Sequence, residues 1–325
     1  MRAAVCHRYG PPEVVTVEDV PPPQLADRKV RVRVHAASVN FPDVLVVAGD
    51  YQLRVPTPFI PGSDFAGVVA EVDDGVSGVA VGDRVSGMGL YGAFAEEAVV
   101  SARVLTRIPA GVDDPSAAAF GVGHRTAYHA LRSVARVQAG DEVIVLGAGG
   151  GVGLAAVQLG TVLGASVTAV ASSVEKLAAA KAAGACVLID HHVGDLRQSL
   201  RAALPEGAAA VLDPVGGDLS EPTLRSLRRG GRFVTIGYAS GVIPRIPLNL
   251  VLVKGIEVRG LQLQDLATAD PDGFRRNEAG LADLLATGRV LPHIGATYPL
   301  EQAAAALRHV ADGRAVGKVL LDLSS

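Results

Sequence analysis

A glycine-rich turn is the first feature of the sequence that could do chemistry. An apolar run at residues 143–146 leads into a turn that reads Ala148-x-Gly150-x-x-Gly153, and an uncharged apolar segment follows. Glycines allow a backbone to approach a pyrophosphate, and the start of a helix offers free N–H groups and a positive dipole end. We therefore predict a dinucleotide site here, the alternative being a tight strand-to-helix turn that binds nothing.

The residues after the next expected strand indicate which dinucleotide binds. That strand, at residues 167–171, ends in Ser172 and Ser173 rather than in the Asp or Glu that usually holds the ribose of NAD. An acid at about 4 Å would oppose a 2′-phosphate by about 1–4 kcal/mol. Serine hydroxyls can donate to that phosphate, and Lys176 and His191 are expected within reach. The pattern favours NADPH over NADH.

Two features of the same segment leave room for another interpretation. Glu175 would oppose a phosphate, and we assume that its side chain points to solvent. Lys176 taken alone would equally suit a solvated helix face, so the neighbouring serine pair is what favours a phosphate-binding role.

The pattern along the chain predicts two kinds of architecture. Short β-branched runs separated by turns fill residues 1–108, which favours a mostly antiparallel, barrel-like domain. Beyond residue 116 strands and helices alternate, and the expected strands cover residues 142–146, 167–171, 187–189, 209–212, 232–236 and 256–261. Six such strands predict an α/β fold with a doubly wound parallel sheet. We place the domains at residues 1–115, 116–264 and 265–325, and expect the apolar run at 317–321 to return to the first domain's sheet.

Composition excludes several classes of protein. The 325 residues suit two domains, and a net charge of −3 argues against a nucleic-acid binder. The two cysteines, Cys6 and Cys186, are too few for a disulfide scaffold or a thiolate zinc cluster. Residues 143–174 carry no charge, but their glycines favour a buried strand, turn, helix and strand over a membrane span. With no signal-like apolar core near Met1, we expect a cytoplasmic protein.

Motifs spread along nearly the whole chain carry a family resemblance. They are found at residues 38–43, 61–64, 81–85, 92–96, 213–217, 230–232 and 317–319, together with the glycine turn. The sequence resembles the zinc-free, ζ-crystallin-like quinone oxidoreductase branch of the medium-chain dehydrogenases/reductases. The resemblance implies a GroES-like catalytic domain, mostly antiparallel, beside a Rossmann domain that binds NADPH.

The resemblance also identifies the positions that bind zinc in other members of the family, and this sequence has different residues there. Zinc-dependent relatives have a cysteine at the position of Asn40 and a His–Glu pair at the positions of Ser63 and Asp64. They usually carry a four-cysteine lobe as well, which this sequence lacks. We therefore predict metal-independent chemistry and no metal-binding residues.

Hydrogen-bond donors could replace the metal, because the acceptor oxygen gains negative charge as it is reduced. The resemblance implies that Asn40 and Tyr51 line the cleft beside the nicotinamide, with Asp43 close behind them. Alternatively, Tyr51 is a packed core tyrosine and Asp43 a cap of a helix or strand.

His124 and Arg125 depart from what the family leads us to expect, since related chains are often apolar or small here. Arg125, which we include among the candidate catalytic residues, or His124 could hold an anionic substrate or the pyrophosphate. The alternative is a solvent-facing helix start. A carboxylate or CoA-bearing enoyl substrate would suit the pair, so the substrate class stays open.

The resemblance and the serine pair together give a set of expected NADPH contacts. These are Tyr51, Thr126, Gly150, Gly151, Val152, Gly153, Ser172, Ser173, Lys176, His191, Gly217, Ile236, Gly237, Tyr238, Gly260 and Leu261. Lys318 lies in the last motif, and its role is less defined.

These observations predict an NADPH-dependent, metal-independent reductase that transfers hydride to a quinone, with solvent delivering the proton. One alternative is reduction of an activated C=C bond in an enone or enoyl thioester. Another is a non-catalytic NADPH-binding sensor or structural protein. The expected partner is then a small electrophilic acceptor rather than a nucleic acid. The resemblance also implies a homodimer formed through the edge strand near residues 256–260.

Overall fold

A computed structural model describes residues 1–324 of the chain. Its strands, in chain order, are β1 (Arg2–Cys6), β2 (Val15–Asp19), β3 (Lys29–Val39), β4 (Asp64–Val72), β5 (Arg84–Met88), β6 (Glu97–Ser101), β7 (Leu105–Arg107), β8 (Glu142–Leu146), β9 (Ser166–Ala171), β10 (Val187–Asp190), β11 (Ala208–Asp213), β12 (Leu227–Thr235), β13 (Glu257–Gly260), β14 (Ile294–Pro299) and β15 (Lys318–Asp322). Its α-helices are α1 (Phe41–Ala48), α2 (Asp114–His129), α3 (Gly151–Val162), α4 (Val174–Ala182), α5 (Leu196–Ala203), α6 (Ser220–Arg225), α7 (Asn249–Lys254), α8 (Leu263–Ala269), α9 (Pro271–Ala286) and α10 (Ala303–Ala311).

The chain forms two compact units. The first comprises Met1–Val122 and the stretch from Leu291 onward, and the second comprises Gly123–Val290. No helix within residues 1–324 combines the length and apolar character needed to cross a membrane.

The first unit is built around a seven-stranded sheet in the order β14-β15-β3-β4-β5-β7, with β6 also paired to β3. All of its pairs are antiparallel except β14 with β15. Val30, Val32 and Val34 alternate along β3 and are fully buried, because successive side chains of a strand point to opposite faces of the sheet. The pairing of β15 with β3 confirms that the last apolar run returns to the first unit.

The second unit contains a six-stranded, wholly parallel sheet in the order β10-β9-β8-β11-β12-β13. This order confirms the predicted doubly wound fold, and each strand lies within a few residues of its predicted position. The strand order reverses between β8 and β11, and the crevice beyond the carboxyl ends of such strands is where ligands bind in this architecture.

The units end at other residues than the predicted boundaries of 115/116 and 264/265. Helices α8 and α9 belong to the second unit, because α9 is held to the end of α2 by long-range polar contacts. The buried ring of His129 meets Glu278 Oε1 at 3.1 Å, and Asn277 Nδ2 donates to Ser133 Oγ at 2.9 Å. Alternation of strands and helices cannot reveal such contacts.

Helix α1 interrupts the stretch for which only β structure was predicted. Asn40 caps it with an extended backbone, Asp43 completes a capping box, and a proline stands in the first turn. These are recognised signals of a helix start, so the helix was predictable from Asn40-x-x-Asp43. Within the same stretch, β6 pairs with β3 from Glu97 to Ser101.

Candidate functional site

The glycine turn joins β8 to α3 in the second unit, and its backbone lies in close contact with neighbouring groups. Gly147 has a φ of +59°, and Gly150 caps α3 without any side-chain hydrogen bond to the first-turn N–H groups. A Cβ on Gly153 would overlap the carbonyl of Gly147, and one on Gly149 would overlap the side chain of Lys176. Only glycine allows this close packing, and the uncapped helix start suits an anion such as a pyrophosphate.

The predicted serine pair follows β9 and contacts Lys176. Ser173 caps α4 by accepting a hydrogen bond from Lys176 N at 3.3 Å, while Lys176 Nζ donates to Ser172 Oγ at 3.2 Å. Lys176 is half-buried, and burial lowers its pKa. A partly desolvated ammonium beside a hydroxyl is chemically suited to an anion, whereas a solvated helix face would leave the lysine exposed.

Glu175 and His191 are further titratable side chains near this serine pair. Glu175 is exposed, as the prediction assumed, and hydrogen bonds from its own backbone N–H and from Ser173 lower its pKa. His191 is half-buried, and burial foremost lowers its pKa, with further lowering by His192 and by Lys176 and an opposing effect of Asp190. Because Lys176 acts on His191, the two predicted contacts share one neighbourhood.

The loop after β11 is clamped by a fully buried carboxylate. Asp213 Oδ1 accepts hydrogen bonds from Val215 N at 2.9 Å and Gly216 N at 2.7 Å, and Oδ2 accepts from the Ser220 hydroxyl at 2.5 Å. These bonds hold the loop in one shape at the point where the strand order reverses. The sequence placed this loop beside the cofactor but did not identify Asp213 as the residue that shapes it.

The segment after β12 lies against that loop. Ile236 N donates to Asp213 O at 2.8 Å, and Ser240 N donates to Val215 O at 2.9 Å. Tyr238 projects from the segment with more than a third of its surface exposed. The predicted contacts Ile236, Gly237 and Tyr238 are therefore adjacent to the loop that contains Gly217.

The carboxyl end of β13 lies beside the carboxyl end of β12. Leu261 N donates to Thr235 O at 3.1 Å, so Gly260 and Leu261 stand beside the carboxyl end of β12. The predicted contacts that follow β11, β12 and β13 thus lie side by side at the carboxyl ends of these strands. The predicted residue Thr126 is also in this unit, buried within α2.

A separate polar cluster is buried in the first unit, where α1 begins. Asn40 N donates to Asp43 Oδ2 at 2.7 Å. Burial raises the pKa of Asp43 to about 7, and the carboxylate of Asp64 adds to that rise. Hydrogen bonds from the Asn40 backbone and Ser63 and the positive charge of Lys318 oppose it. Asp43 can therefore gain or lose a proton near neutral pH.

The side chain of Asn40 is the centre of this cluster. Its Nδ2 lies 3.0 Å from Asp64 Oδ2 and 3.1 Å from Ser63 Oγ, and its Oδ1 accepts a hydrogen bond from Lys318 Nζ at 2.5 Å. Asp64 also accepts from Val122 N at 3.0 Å. The predicted role of Asn40 as a donor to a substrate would require it to give up one of these bonds.

This cluster does not fit a zinc ion. The positions that resemble zinc ligands hold an amide, a hydroxyl and a carboxylate, without the thiolate or imidazole that zinc prefers. The ammonium of Lys318 is buried among them and would repel a divalent cation. Over residues 1–324, no group of three or more His, Cys, Asp and Glu side chains is arranged to hold a metal.

The remaining predicted residues lie in three settings. Tyr51 follows α1 and packs, half-buried, against the core of the first unit. Arg125 forms an ion pair with Glu278, 2.7 Å from Nε to Oε2, within the second unit. His124 is only 2% exposed and its Nε2 lies 3.3 Å from Gln158 Oε1, so the solvent-facing alternative is wrong for this residue.

Comparison with known proteins agrees with this geometry. Residues 26–110 match the family model of the alcohol dehydrogenase GroES-like domain, and residues 151–275 match that of the zinc-binding dehydrogenases. The quinone oxidoreductase-like protein 2 of Mus musculus is 38% identical over 329 residues, covering 99% of this chain and 92% of that protein.

Two solved structures are similar over the whole chain. The Escherichia coli quinone oxidoreductase complexed with NADPH has a TM-score of 0.91 and 28% identity, covering 99% of this chain and 100% of that one. The quinone oxidoreductase of Thermus thermophilus, solved alone and with NADPH, has a TM-score of 0.84 and 32% identity, covering 99% and 100%.

The fold and these similarities define a medium-chain dehydrogenase/reductase with a GroES-like domain. Within that class, the chain belongs to the quinone oxidoreductase family and is an oxidoreductase.

Proposed function

We propose that this protein is an NADPH-dependent, metal-independent reductase whose acceptor is a quinone. The observation that carries the proposal is the contact at the end of β9 between the half-buried ammonium of Lys176 and the hydroxyl of Ser172, beside Ser173. NADPH bound there would supply the hydride, and the protein would supply orientation and a dry environment.

Charge explains the preference for the phosphorylated cofactor. The 2′-phosphate carries about two negative charges, so the ammonium of Lys176 would offset it and the hydroxyl of Ser172 would donate to it. Gly150 to Gly153 would hold the pyrophosphate by backbone N–H groups. The loop near Gly217 that Asp213 holds and the segment with Tyr238 would contact the rest of the cofactor.

The first unit supplies the proposed catalytic residues. We assign the stabilisation of the acceptor oxygen to the hydroxyl of Tyr51 and to Asn40, and the storage of a proton near neutral pH to Asp43. Similarity to proteins named quinone oxidoreductases supports a quinone as the acceptor.

A panel of acceptors tests the proposal. Purified protein is assayed for oxidation of NADPH and NADH with menadione, cyclohexenone and crotonyl-CoA. We expect turnover with the quinone and NADPH. Turnover of only the enone or the thioester would replace the quinone by an activated C=C bond. Tight NADPH binding without turnover of any acceptor would favour a sensor or structural role.

We also propose that the protein forms a homodimer through the β13 edge of the parallel sheet. An unpaired edge can add a strand from a second copy, and the adjacent α7 exposes Leu252 and Val253 by 82% and 72%. Val258 on β13 is also exposed. Sedimentation equilibrium tests this: Val258→Lys should yield monomers at concentrations where the wild type is dimeric. A monomeric wild type would refute the proposal.

A further inference from the structure

We propose that Lys318 is a positioning residue that orients the carboxamide of Asn40 and supplies the buried positive charge of the polar cluster. This inference rests on the reductase function proposed above. In this proposal Lys318 lies in the first unit, among the positions to which the resemblance assigns the zinc ligands of zinc-dependent relatives.

Strand pairing brings Lys318 to this place. β3 lies between β15 and β4, and its last residues pair with both: Val319 stands opposite Val39, and Asp64 stands opposite Ser38. The residue before Val319 is therefore directed toward the residue after Val39. The register of three strands, rather than a flexible loop, fixes the approach of Lys318 to Asn40.

The hydrogen bonds show what the lysine decides. An amide group has an acceptor oxygen and a donor nitrogen of nearly equal shape, so its neighbours determine which way it faces. Lys318 Nζ can only donate, and it lies 2.5 Å from Asn40 Oδ1. Nδ2 must then face the acceptors Ser63 and Asp64. Without the ammonium, Oδ1 would lose its buried donor, and the acceptors Ser38 O, Ser63 and Asp64 around Nδ2 would be left to hold the carboxamide from one side only.

Charge supplies an independent reason for a cation here. Asp43, Asp64 and Lys318 are each at most 4% exposed, and they come from α1, β4 and β15. Two buried carboxylates without a cation would be strongly unfavourable. The two carboxylates also raise the pKa of Lys318, against a lowering by burial that is the larger effect. The cluster carries one positive charge against one or two negative charges, depending on the proton of Asp43.

The same residues correspond to the metal-ligand positions of the family. The resemblance puts a cysteine at position 40 and a His–Glu pair at 63–64 in zinc-dependent relatives. Here Asn40, Ser63 and Asp64 are joined in one hydrogen-bonded group, and the group contacts an ammonium. A side chain of this protein thus provides the positive charge at these positions.

Variants of Lys318 test the inference. Lys318→Met keeps the length of the side chain without its charge, and Lys318→Arg keeps the charge. Lys318→Met combined with Asp64→Asn removes one positive and one negative charge together, so this double variant avoids a buried uncompensated carboxylate. Lys181→Met, at an exposed lysine in α4, is the matched control. Each is assayed for kcat, KM, the Kd of NADPH by fluorescence titration, and the pH profile.

We expect kcat of Lys318→Met and of the double variant to fall about ten- to hundredfold, as misplacement of a positioned group does. The Kd of NADPH should change by less than about twofold, because the lost interaction is not with the cofactor. Lys318→Arg should lose less activity than Lys318→Met. The apparent pKa in the profile of Lys318→Met should rise, since Lys318 lowers the pKa of Asp43.

Three results would overturn the inference. The first is an unchanged kcat in a folded Lys318→Met protein, or a loss of NADPH affinity that accounts for the whole defect. The second is an equal defect in the Met and Arg variants with no change in pH profile, which would indicate packing alone. The third is failure of the charge-balanced double variant to fold. A wild type that reduces no acceptor would instead refute the reductase function, so the two failures are distinct.

Discussion

The two polar regions of this molecule are built in opposite ways. In the second unit, the candidate nucleotide site is mostly backbone: a glycine turn, a helix start and a loop shaped by one carboxylate, with Lys176 half-buried at its margin. In the first unit, the cluster around Asn40 consists of charged and polar side chains that are almost fully buried. One region is formed mainly by short runs of consecutive residues, whereas the other is formed by residues from distant strands.

This difference determines how each region responds to change. A site of backbone groups tolerates substitution only where a new side chain leaves the backbone free, so sterics dominate. A cluster of buried charges depends on each member, because removing one leaves its partners desolvated and unpaired.

Gly153→Val should abolish NADPH binding. Its side chain would collide with the carbonyl of Gly147, which is backbone and cannot move without displacing the turn. We expect the Kd of NADPH to rise more than about 100-fold, with a loss of about 1–3 kcal/mol in stability from overpacking. Fluorescence titration and chemical denaturation measure the two effects. Gly89→Ala is the control, since a Cβ there meets only Tyr91 O at 3.7 Å. Unaltered binding in Gly153→Val would remove the steric argument.

Asp213→Ala should destabilise the second unit. Two backbone N–H groups and the Ser220 hydroxyl would lose their acceptor inside the protein, and each such loss costs about 1–3 kcal/mol. We expect a total of about 3 kcal/mol, together with weaker NADPH binding as the loop loosens. Denaturant unfolding measures this, with the exposed Asp218→Ala as control. Equal stability of the two variants would show that the loop does not depend on its carboxylate.

Lys176→Ala should weaken the binding of NADPH but not of NADH. The lost interaction with the 2′-phosphate is a charge-assisted bond at a partly exposed site, so we expect about a tenfold rise in Kd, or about 1.4 kcal/mol. Isothermal titration with both cofactors measures the ratio, and Lys181→Ala in the same helix serves as control. A parallel loss for NADH would place the lysine at another part of the cofactor.

The buried cluster should make stability depend on pH through Asp43. Its pKa is raised from 3.8 to about 7 in the folded protein, so the native state binds this proton more tightly than the unfolded state does. Stability from this group is therefore present at low pH and is lost as pH rises from about 4 to about 7, at up to about 1.4 kcal/mol for each pH unit.

Asp43→Asn should remove that dependence while keeping the shape of the side chain. Comparison of the two unfolding free energies across this pH range isolates the effect from other titrating groups. If the unfolding free energies of the wild type and of Asp43→Asn changed in parallel with pH, the pKa of Asp43 would be unshifted. The buried cluster would then not differ from the nucleotide site in its electrostatics.

Much of the fold could be predicted because it depends on local pattern. Continuous apolar runs at β8, β9 and β11 require burial on both faces, and glycines mark the turns that follow β8 and β11. The serine pair at the end of β9 could be recognised for the same reason, because the pattern consists of a few adjacent residues. Helix α1 was missed although Asn40-x-x-Asp43 signals a capping box.

The sequence by itself determined the order of strands and helices, the glycine turn and the residue types available for chemistry, because neighbours along the chain set these. Only tertiary contacts bring Lys318 to Asn40, 278 residues away, and α9 to His129, and burial in the folded protein raises the pKa of Asp43 to about 7. Strand register and burial create these properties. Both depend on residues far apart in the chain, so neither can be predicted from the pattern of neighbouring residues.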